Sequence, residues 1–444
     1  MNKIKSKLIA IPMAILLATS VLLTAYALQP AVGAMENPIF LPLVTGPQAE
    51  STIPEMKSAG VLHFGPKNEL FVADSKSGTI FAFDVAAGDP LEEPRGYNLY
   101  GIDLQIAAAL GATPEQITIN DLAVHPVSSV AYLSVMRGHG DAAIPVVLTI
   151  DHDGNIESLD LGALEHTSVT LGNLPDENLV FWRKISARSL TITDIDYYNG
   201  ELYVAGLSTG DFASTLRRIP YPFDGTVSST SVEMYHTVHN QNETRAPIRT
   251  QTILDSDEGP ILLAAYTCTP LVTTPLSALK DGAHISSKTI AEVGYGNTPI
   301  DIIRFQTQAQ DGSVQDMVLL TNTDYTAMVF GVEQLLASHE AEGLTTPVSM
   351  GMTAGPDIFR TPMTGVLQIS DQDPMHLLML RTNKDTDNLD LVSTIKGAYF
   401  RLSDFVSEYD SPGYEYPADG SQDFIKNFQN MLRMDEGYPE LVVP

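Results

Sequence analysis

Short apolar stretches separated by polar turns recur along the chain and predict β-strands in series. The recurring unit is a polar-then-apolar strand, a second apolar strand, a tight polar turn and a third strand. It is clear in VLHFGPKNELFVADSKSGTIFAFD, from Val61, and in LTITDIDYYNGELYVAGLS, from Leu190. Asn199-Gly200 is the clearest hairpin turn, because this pair accepts positive φ at both central positions. Such units begin near residues 61, 117, 190, 247, 298 and 364.

Helical segments are few and interrupt this series. GIDLQIAAAL, ended by Gly111, and the segment that begins at Thr113-Pro114 predict one or two short helices before the second unit. VEQLLASHEA, from Val332, predicts another. Strands in series with so few helices favour antiparallel pairing over parallel βαβ units. We therefore predict a repeated antiparallel meander.

This repetition resembles the broad β-propeller superfamily, which includes quinoprotein-like, NHL-like and lactonase-like domains. The resemblance spans roughly residues 55–400, and Asn297-Thr298-Pro299-Ile300-Asp301 looks like the Asn-x-Pro-x-Asp blade entry of NHL-like and lactonase-like propellers. It implies an all-β fold with a single β-propeller of six to eight four-stranded blades and short inserted helices. Seven blades is the preferred number, with a seventh unit in the segments near residues 38–45 and 172–185.

The two ends of the chain differ from its middle. Three lysines in the first seven residues, an apolar run from Leu8 to about Leu28 and small residues up to Ala34 predict a signal peptide at 1–34. We expect it to be cleaved rather than kept as an anchor, so that no membrane span remains and the protein is periplasmic or extracellular. The propeller domain is then expected at 35–405 and an acidic tail at 406–444. We interpret most of the tail as surface-wrapping or mobile, with an amphipathic helix near Phe424 that docks on a partner as the alternative.

Charge narrows the possible partners. The chain has 25 Lys and Arg against 54 Asp and Glu, a formal net charge of −29. That charge repels phosphate backbones and anionic membranes, which argues against nucleic-acid binding. Cations or a basic protein partner suit it better, although an acidic surface also simply keeps an exported protein soluble.

Single residues and missing motifs narrow the chemistry. Cys268 is the only cysteine, which excludes an intramolecular disulfide, and its apolar surroundings predict a buried core thiol. Trp182, the only tryptophan, is expected to pack in the core or a groove. The chain contains no CxxCH, Walker, GxSxG or GxGxxG motif, so it carries no signature for haem, nucleotide or NAD.

Three units place an aspartate at the same point of their first strand, at Asp121, Asp194 and Asp301. The first strand of a propeller blade lines the central channel, so equivalent side chains converge there. Converging carboxylates repel each other unless a cation or an arginine lies between them, and we expect Ca²⁺ or another divalent ion. The propeller resemblance adds Asn297 to this ligand set. The alternative is that each aspartate ties its own blade by accepting backbone N–H bonds.

A second cluster lies in the polar segment YHTVHNQNETR between two strands. His236, His239 and Glu243 have the residue types and spacing of metal ligands on a turn or loop, with an ordinary inter-blade loop as the alternative. The segment leads into Arg249, near the aspartate position of a fourth unit, so we expect it close to a mouth of the channel. We take His236, His239 and Arg249 as candidate catalytic residues.

Two functions follow from these observations. The first is an exported binding or interaction scaffold, in one form the cofactor-free subunit of a periplasmic or extracellular complex. It would bind a protein partner or a small molecule at the channel mouth. The alternative is a metal-assisted hydrolase or lactonase: the three aspartates and Asn297 would hold the ion, His236 or His239 would move the proton, and Arg249 would stabilise a developing anion. The missing catalytic motifs favour the first.

Overall fold

The computed structural model describes residue 53 and residues 55–182, 184–309, 311–408, 411, 413–416 and 420–443, without the side chain of residue 421. The predicted signal peptide and residues 38–45 lie outside this part. The strands are β1 (Leu62–Phe64), β2 (Glu69–Asp74), β3 (Thr79–Asp84), β4 (Asn98–Leu99), β5 (Ile117–Val124), β6 (Ala131–Arg137), β7 (Ile144–Ile150), β8 (Ile156–Ser158), β9 (His166–Thr170), β10 (Val180–Phe181), β11 (Ile185–Ser186), β12 (Asp194–Tyr198), β13 (Glu201–Leu207), β14 (Ser214–Pro220), β15 (Ser228–His236), β16 (Gln241–Glu243), β17 (Ile248–Ser256), β18 (Gly259–Tyr266), β19 (Pro270–Pro275), β20 (His284–Glu292), β21 (Pro299–Gln308), β22 (Val314–Asn322), β23 (Met328–Gly331), β24 (Phe359–Arg360), β25 (Val366–Asp371), β26 (His376–Thr382) and β27 (Leu389–Ile395). The α-helices are α1 (Ile102–Ala109), α2 (Val332–Glu340) and α3 (Gly420–Asp435).

Most strands belong to antiparallel units of four, and the described residues form six such units. In strand order they are β1-β2-β3-β9, β5-β6-β7-β8, β12-β13-β14-β15, β17-β18-β19-β20, β21-β22-β23-β24 and β25-β26-β27-β4. Their first strands contact one another in a closed ring, in the order β1, β12, β17, β21, β25, β5 and back to β1. The predicted all-β propeller fold is therefore confirmed. The segment near residues 172–185 adds no unit to the ring, because it leads into the separate hairpin β10–β11.

The core is divided among the interfaces of this ring. Six hydrophobic clusters are found in the described residues, one for each pair of neighbouring units. Because a unit packs against a neighbour on both faces, its second strand is buried on both faces and its sequence is almost continuously apolar. GPILLAAY in β18 and HLLMLRT in β26 are examples.

Two units take their outer strand from a distant part of the chain. β9 completes the β1–β3 unit only after the chain has formed the β5–β8 unit. β4 pairs with β27, placing Asn98 opposite Val392 and Leu99 opposite Leu391. An early segment of the chain therefore closes the last unit of the ring.

Two further features concern the boundary between the third and fourth units and the turn between β12 and β13. β15 and β20 pair in parallel, which joins the third and fourth units into one sheet, and β16 extends this sheet beyond β15. At the turn between β12 and β13, Asn199 and Gly200 have φ of 49° and 88°, as predicted for a hairpin of this sequence.

α1 and α2 lie where the sequence predicts helices, and α3 changes the interpretation of the tail. α3 packs on the propeller itself: Leu432 is buried, and His376 Nε2 lies 2.8 Å from Asp435 Oδ1. Just after the helix, the Glu436 carboxylate accepts bonds from the backbone N–H groups of Leu402 and Ser403. No helix in the described part of the chain is both long and apolar enough to cross a membrane.

Candidate functional site

The first strands of the units surround a central cavity of about 280 Å³. All three predicted aspartates line it. Its charged and titratable lining side chains are His63, Asp121, Asp194, Asp196, Asp301, Arg304 and Asp371. Sequence reasoning missed Asp196, although it lies two residues after Asp194 and therefore on the same face of β12. The structure thus brings five carboxyl groups to one cavity: the three predicted ones and those of Asp196 and Asp371.

Each of the three aspartates bonds to the backbone of the next unit in the ring. The acceptor–donor distances are 2.7 Å for Asp121 Oδ2 to Leu62 N, 2.7 Å for Asp194 Oδ2 to Gln251 N, and 2.8 Å for Asp301 Oδ2 to Ile369 N. These bonds join β5 to β1, β12 to β17 and β21 to β25. The backbone bonds expected from the alternative interpretation therefore exist. The three bonds just given connect units, and Asp194 Oδ1 and Asp301 Oδ1 also accept bonds of 2.8 Å from Ile195 N and Ile302 N in their own strands.

The other three interfaces of the ring have side-chain bonds of a different kind. They run from Tyr197 N to His63 Nε2 (3.2 Å), from Arg304 Nη1 to Ile253 O (3.4 Å), and from Gln368 Nε2 to Asn120 O (3.2 Å). Burial lowers the pKa of His63 to about 4, so its imidazole is neutral and can accept this bond. Every interface around the cavity is thus bridged by a polar side chain.

The electrostatics of the cavity favour protonated carboxyl groups. Burial raises the pKa of Asp121 to about 7, and repulsion from the Asp194 carboxylate is a smaller cause in the same direction. Burial raises the pKa of Asp194 to about 6. Burial and neighbouring carboxylates also raise the pKa of Asp196 and of Asp301 well above the usual range. One oxygen of Asp196, Oδ2, is buried without a hydrogen-bond partner. These carboxyl groups therefore share protons near neutral pH instead of all being ionised.

Two other predicted residues lie outside the cavity lining. The Asn297 side chain donates to Asn322 Oδ1 at 2.6 Å and accepts from Asp324 N at 3.2 Å, which ties it to the loop after β22. Arg249 is half-buried, and its Nε has no hydrogen-bond partner. Its charge lowers the pKa of Asp194 and so partly offsets the effect of burial. Metal binding by the aspartates stays a prediction, and the structure does not bring Asn297 to them.

The structure gathers the two candidate histidines, but on the outer strand of a unit and not in the cavity lining. Glu243 Oε1 lies 2.8 Å from His236 Nδ1 and 2.6 Å from His239 Nδ1. Burial alone would lower the pKa of His236, but the neighbouring Cys268 and Glu243 raise it to about 9. Cys268 is half-buried rather than fully buried, and it lies beside this histidine. The parts of the proposed hydrolase are thus divided between two places.

The most exposed aromatic side chain of the described residues was expected to be buried. Trp182, at the tip of the hairpin β10–β11, is 90% exposed. Its expected packing in the core or a groove is wrong, because β10 and β11 pair only with each other and leave Trp182 in solvent. Leu179, Val180 and Ile185 are also exposed around it. The hairpin therefore exposes apolar side chains on both of its faces, since Ile185 pairs opposite Phe181 whereas Val180 pairs opposite Ser186.

Comparisons with known proteins identify no family for the chain. No family model and no curated protein matches the chain. Among solved structures, it is similar to the RRP9 WD40 repeats (TM-score 0.34, 10% identity, 79% of this chain and 99% of that chain). It is also similar to virginiamycin B lyase from Staphylococcus aureus (TM-score 0.30, 9% identity, 78% and 98%). A third match is the extracellular domain of a hybrid two-component system from B. thetaiotaomicron (TM-score 0.28, 10% identity, 78%), of which this chain spans only 39%. Similarity at this level carries no argument about activity.

Proposed function

We propose that the protein is an exported binding module that attaches to a protein partner through the hairpin β10–β11. The observation that carries this proposal is the full exposure of Trp182 at the tip of a hairpin with further exposed apolar side chains. Tryptophan is enriched among the side chains that dominate binding energy at protein interfaces. The predicted signal peptide supports the exported location.

The backbone at the tip supports a functional reason for this tryptophan. Trp182 has a φ of 53°, in the left-handed region, which costs a residue with a side chain about 1–2 kcal/mol. Exposing a large apolar side chain gains nothing for folding either. Neither feature stabilises the isolated chain, and a binding role explains both.

The base of the hairpin is firmly attached to the propeller. Ala187 N donates to Leu179 O at 2.8 Å, which closes the base. The Arg188 guanidinium donates to Pro175 O at 2.8 Å and to Lys76 O at 3.1 Å. A tip held in place before binding loses less conformational entropy when a partner docks, and this favours affinity.

A protein partner fits the charge better than a membrane does. The hairpin is short, and the rest of the chain has a large excess of acidic residues, which an anionic lipid surface repels. A protein with an apolar pocket can bind the hairpin without bringing the acidic propeller close to an anionic membrane surface.

The test compares capture by wild type, by Trp182→Ser and by the control Val314→Ser, using the native exported fraction and crosslinking. Val314 is a suitable control because it is a 63% exposed apolar residue on the hairpin β21–β22. Both substitutions should change the free energy of unfolding by no more than about 0.5 kcal/mol. We expect the captured protein to be lost only with Trp182→Ser. Equal capture by all three chains, or Trp182-dependent binding to lipid vesicles instead, contradicts the proposal. The export part is contradicted if the chain stays in the cytoplasm.

A further inference from the structure

A hairpin at the edge of the third unit holds three potential metal ligands close together. His236 ends β15, His239 lies in the turn, and Glu243 ends β16. His236 is paired directly opposite Gln241, so Glu243, two residues further along β16, points to the same side of the hairpin as His236. Asn240, with a φ of 52°, makes the tight turn that returns His239 toward them.

The donor atoms converge on a single point. Nδ1 of both histidines faces the same oxygen, Glu243 Oε1, and the two imidazole centroids are 3.9 Å apart. Within the described residues this is the one group of three His, Cys, Asp or Glu side chains whose ligand atoms all lie within 4.8 Å of one another. The carboxyl groups of the central cavity do not form such a group.

From this convergence we propose that His236, His239 and Glu243 form a binding site for a divalent transition-metal ion, with Zn²⁺ as the best match. Zn²⁺ lies about 2.0–2.2 Å from nitrogen and carboxylate ligands, so the ligand atoms of a tetrahedral site are about 3.3 Å apart. The present distances of 2.6 and 2.8 Å to Glu243 Oε1 require only small side-chain shifts to admit the ion.

The donor types select the class of metal. Two imidazole nitrogens and one carboxylate suit Zn²⁺, Co²⁺ or Ni²⁺, whereas Ca²⁺ and Mg²⁺ prefer ligand sets made only of oxygen. The negative charge of Glu243 and the acidity of the whole chain attract a cation to this position.

Burial indicates how the site is arranged around the ion. The His236 side chain is fully buried, the Glu243 side chain is 17% exposed, and the His239 side chain is 44% exposed. The ion would therefore be held from the protein side by three ligands, with its fourth position facing solvent. Such a three-ligand set with an open position accepts water or an oxygen or nitrogen atom of another molecule.

The experiment measures Zn²⁺ binding to the full chain after its metal has been removed by a chelator and dialysis. Titration calorimetry and elemental analysis should give one Zn²⁺ per wild-type chain, and Co²⁺ should give the visible absorption of a four-coordinate site. His239→Gln and Glu243→Gln should each weaken Zn²⁺ binding by at least about 10-fold. His239 is preferred for the first variant because its exposed side chain can be replaced without opening the core.

Two controls separate this site from other acidic or histidine-containing places. His284→Gln removes a histidine whose Nε2 lies 3.3 Å from Glu233, on the paired strands β20 and β15 of the same sheet, where no third ligand converges. Asp301→Asn changes the central cavity instead. Both should bind Zn²⁺ as wild type does. The proposal is overturned if wild type binds no stoichiometric Zn²⁺, if His239→Gln binds it equally well, or if the chain takes up Ca²⁺ in preference to Zn²⁺.

Discussion

Replacing His376 by glutamine should loosen the attachment of α3 and remove a pH-dependent part of the stability. The His376 imidazole is almost fully buried between two carboxylates, with Nδ1 2.9 Å from Asp373 Oδ2 and Nε2 2.8 Å from Asp435 Oδ1. Asp373 lies in the turn between β25 and β26, and Asp435 lies in α3. The charged imidazolium therefore clamps the C-terminal helix to the last unit of the ring.

The size of the effect follows from the shift in the His376 pKa. Burial alone would lower this pKa, but bonds to Asp373 and Asp435 raise it from 6.5 to about 9. A difference of about 2.5 pKa units corresponds to roughly 3 kcal/mol. Because the folded-state pKa is the higher one, this contribution is complete below about pH 6.5 and is lost as the pH rises through about 9.

The assay is urea unfolding of wild type and His376→Gln at about pH 6 and about pH 9.5, with limited proteolysis to follow the release of α3. The variant should be less stable by roughly 3 kcal/mol at the lower pH, and the difference should shrink toward the higher pH. His284→Gln serves as the control, since this partly exposed pair should contribute no more than about 1 kcal/mol. A difference between wild type and His376→Gln that does not change with pH would refute the reasoning.

Three further predictions concern the ring and its packing. Asp121→Asn and Asp301→Asn should affect the free energy of unfolding non-additively, with a coupling of about 0.5–3 kcal/mol, because both carboxyl groups line one cavity; simple addition in thermal unfolding would contradict this. Since the pKa of Asp121 is higher in the folded protein than in the unfolded chain, wild type should also lose stability as the pH rises from about 4 to about 7. Asp121→Asn should lose less stability over the same range. Gly206→Ala should cost at least about 1–3 kcal/mol in urea unfolding, because a Cβ there would lie 2.0 Å from Thr191 O. Gly172→Ala, which meets open space, should be nearly neutral, and equal effects of the two alanines would show that the close contact does not matter.

The units of the propeller could be predicted from the sequence because each one is a local meander. Its strands pair with their neighbours in the chain, and turns such as Asn199-Gly200 mark where they meet. The pairing of β4 and β9 with units that are distant in the chain could not be predicted in this way. The partner of β4 is β27, and no local pattern links two strands that lie at opposite ends of the domain.

The part of the candidate site that could be predicted is the part formed by equivalent positions of the repeated units. Asp121, Asp194 and Asp301 occupy the same point of successive units, and this equivalence placed them at one cavity. Their bonds to the neighbouring unit depend on how the units pack, which the repeat does not encode. The position of Trp182 was missed because an aromatic residue beside apolar neighbours is usually buried. Here the strands on both sides pair only with each other.

The proposed binding role of the hairpin is tested most directly by quenching the fluorescence of Trp182. This residue is the only tryptophan in the chain, so its emission reports the hairpin tip and nothing else in the protein. In the free protein, acrylamide should quench the indole as efficiently as it quenches a fully solvated one, in keeping with its 90% exposure. After addition of a purified partner without tryptophan, identified by the capture experiment, we expect the emission to shift to shorter wavelength and the quenching to fall. A complex that forms while Trp182 stays fully accessible to acrylamide would contradict the account.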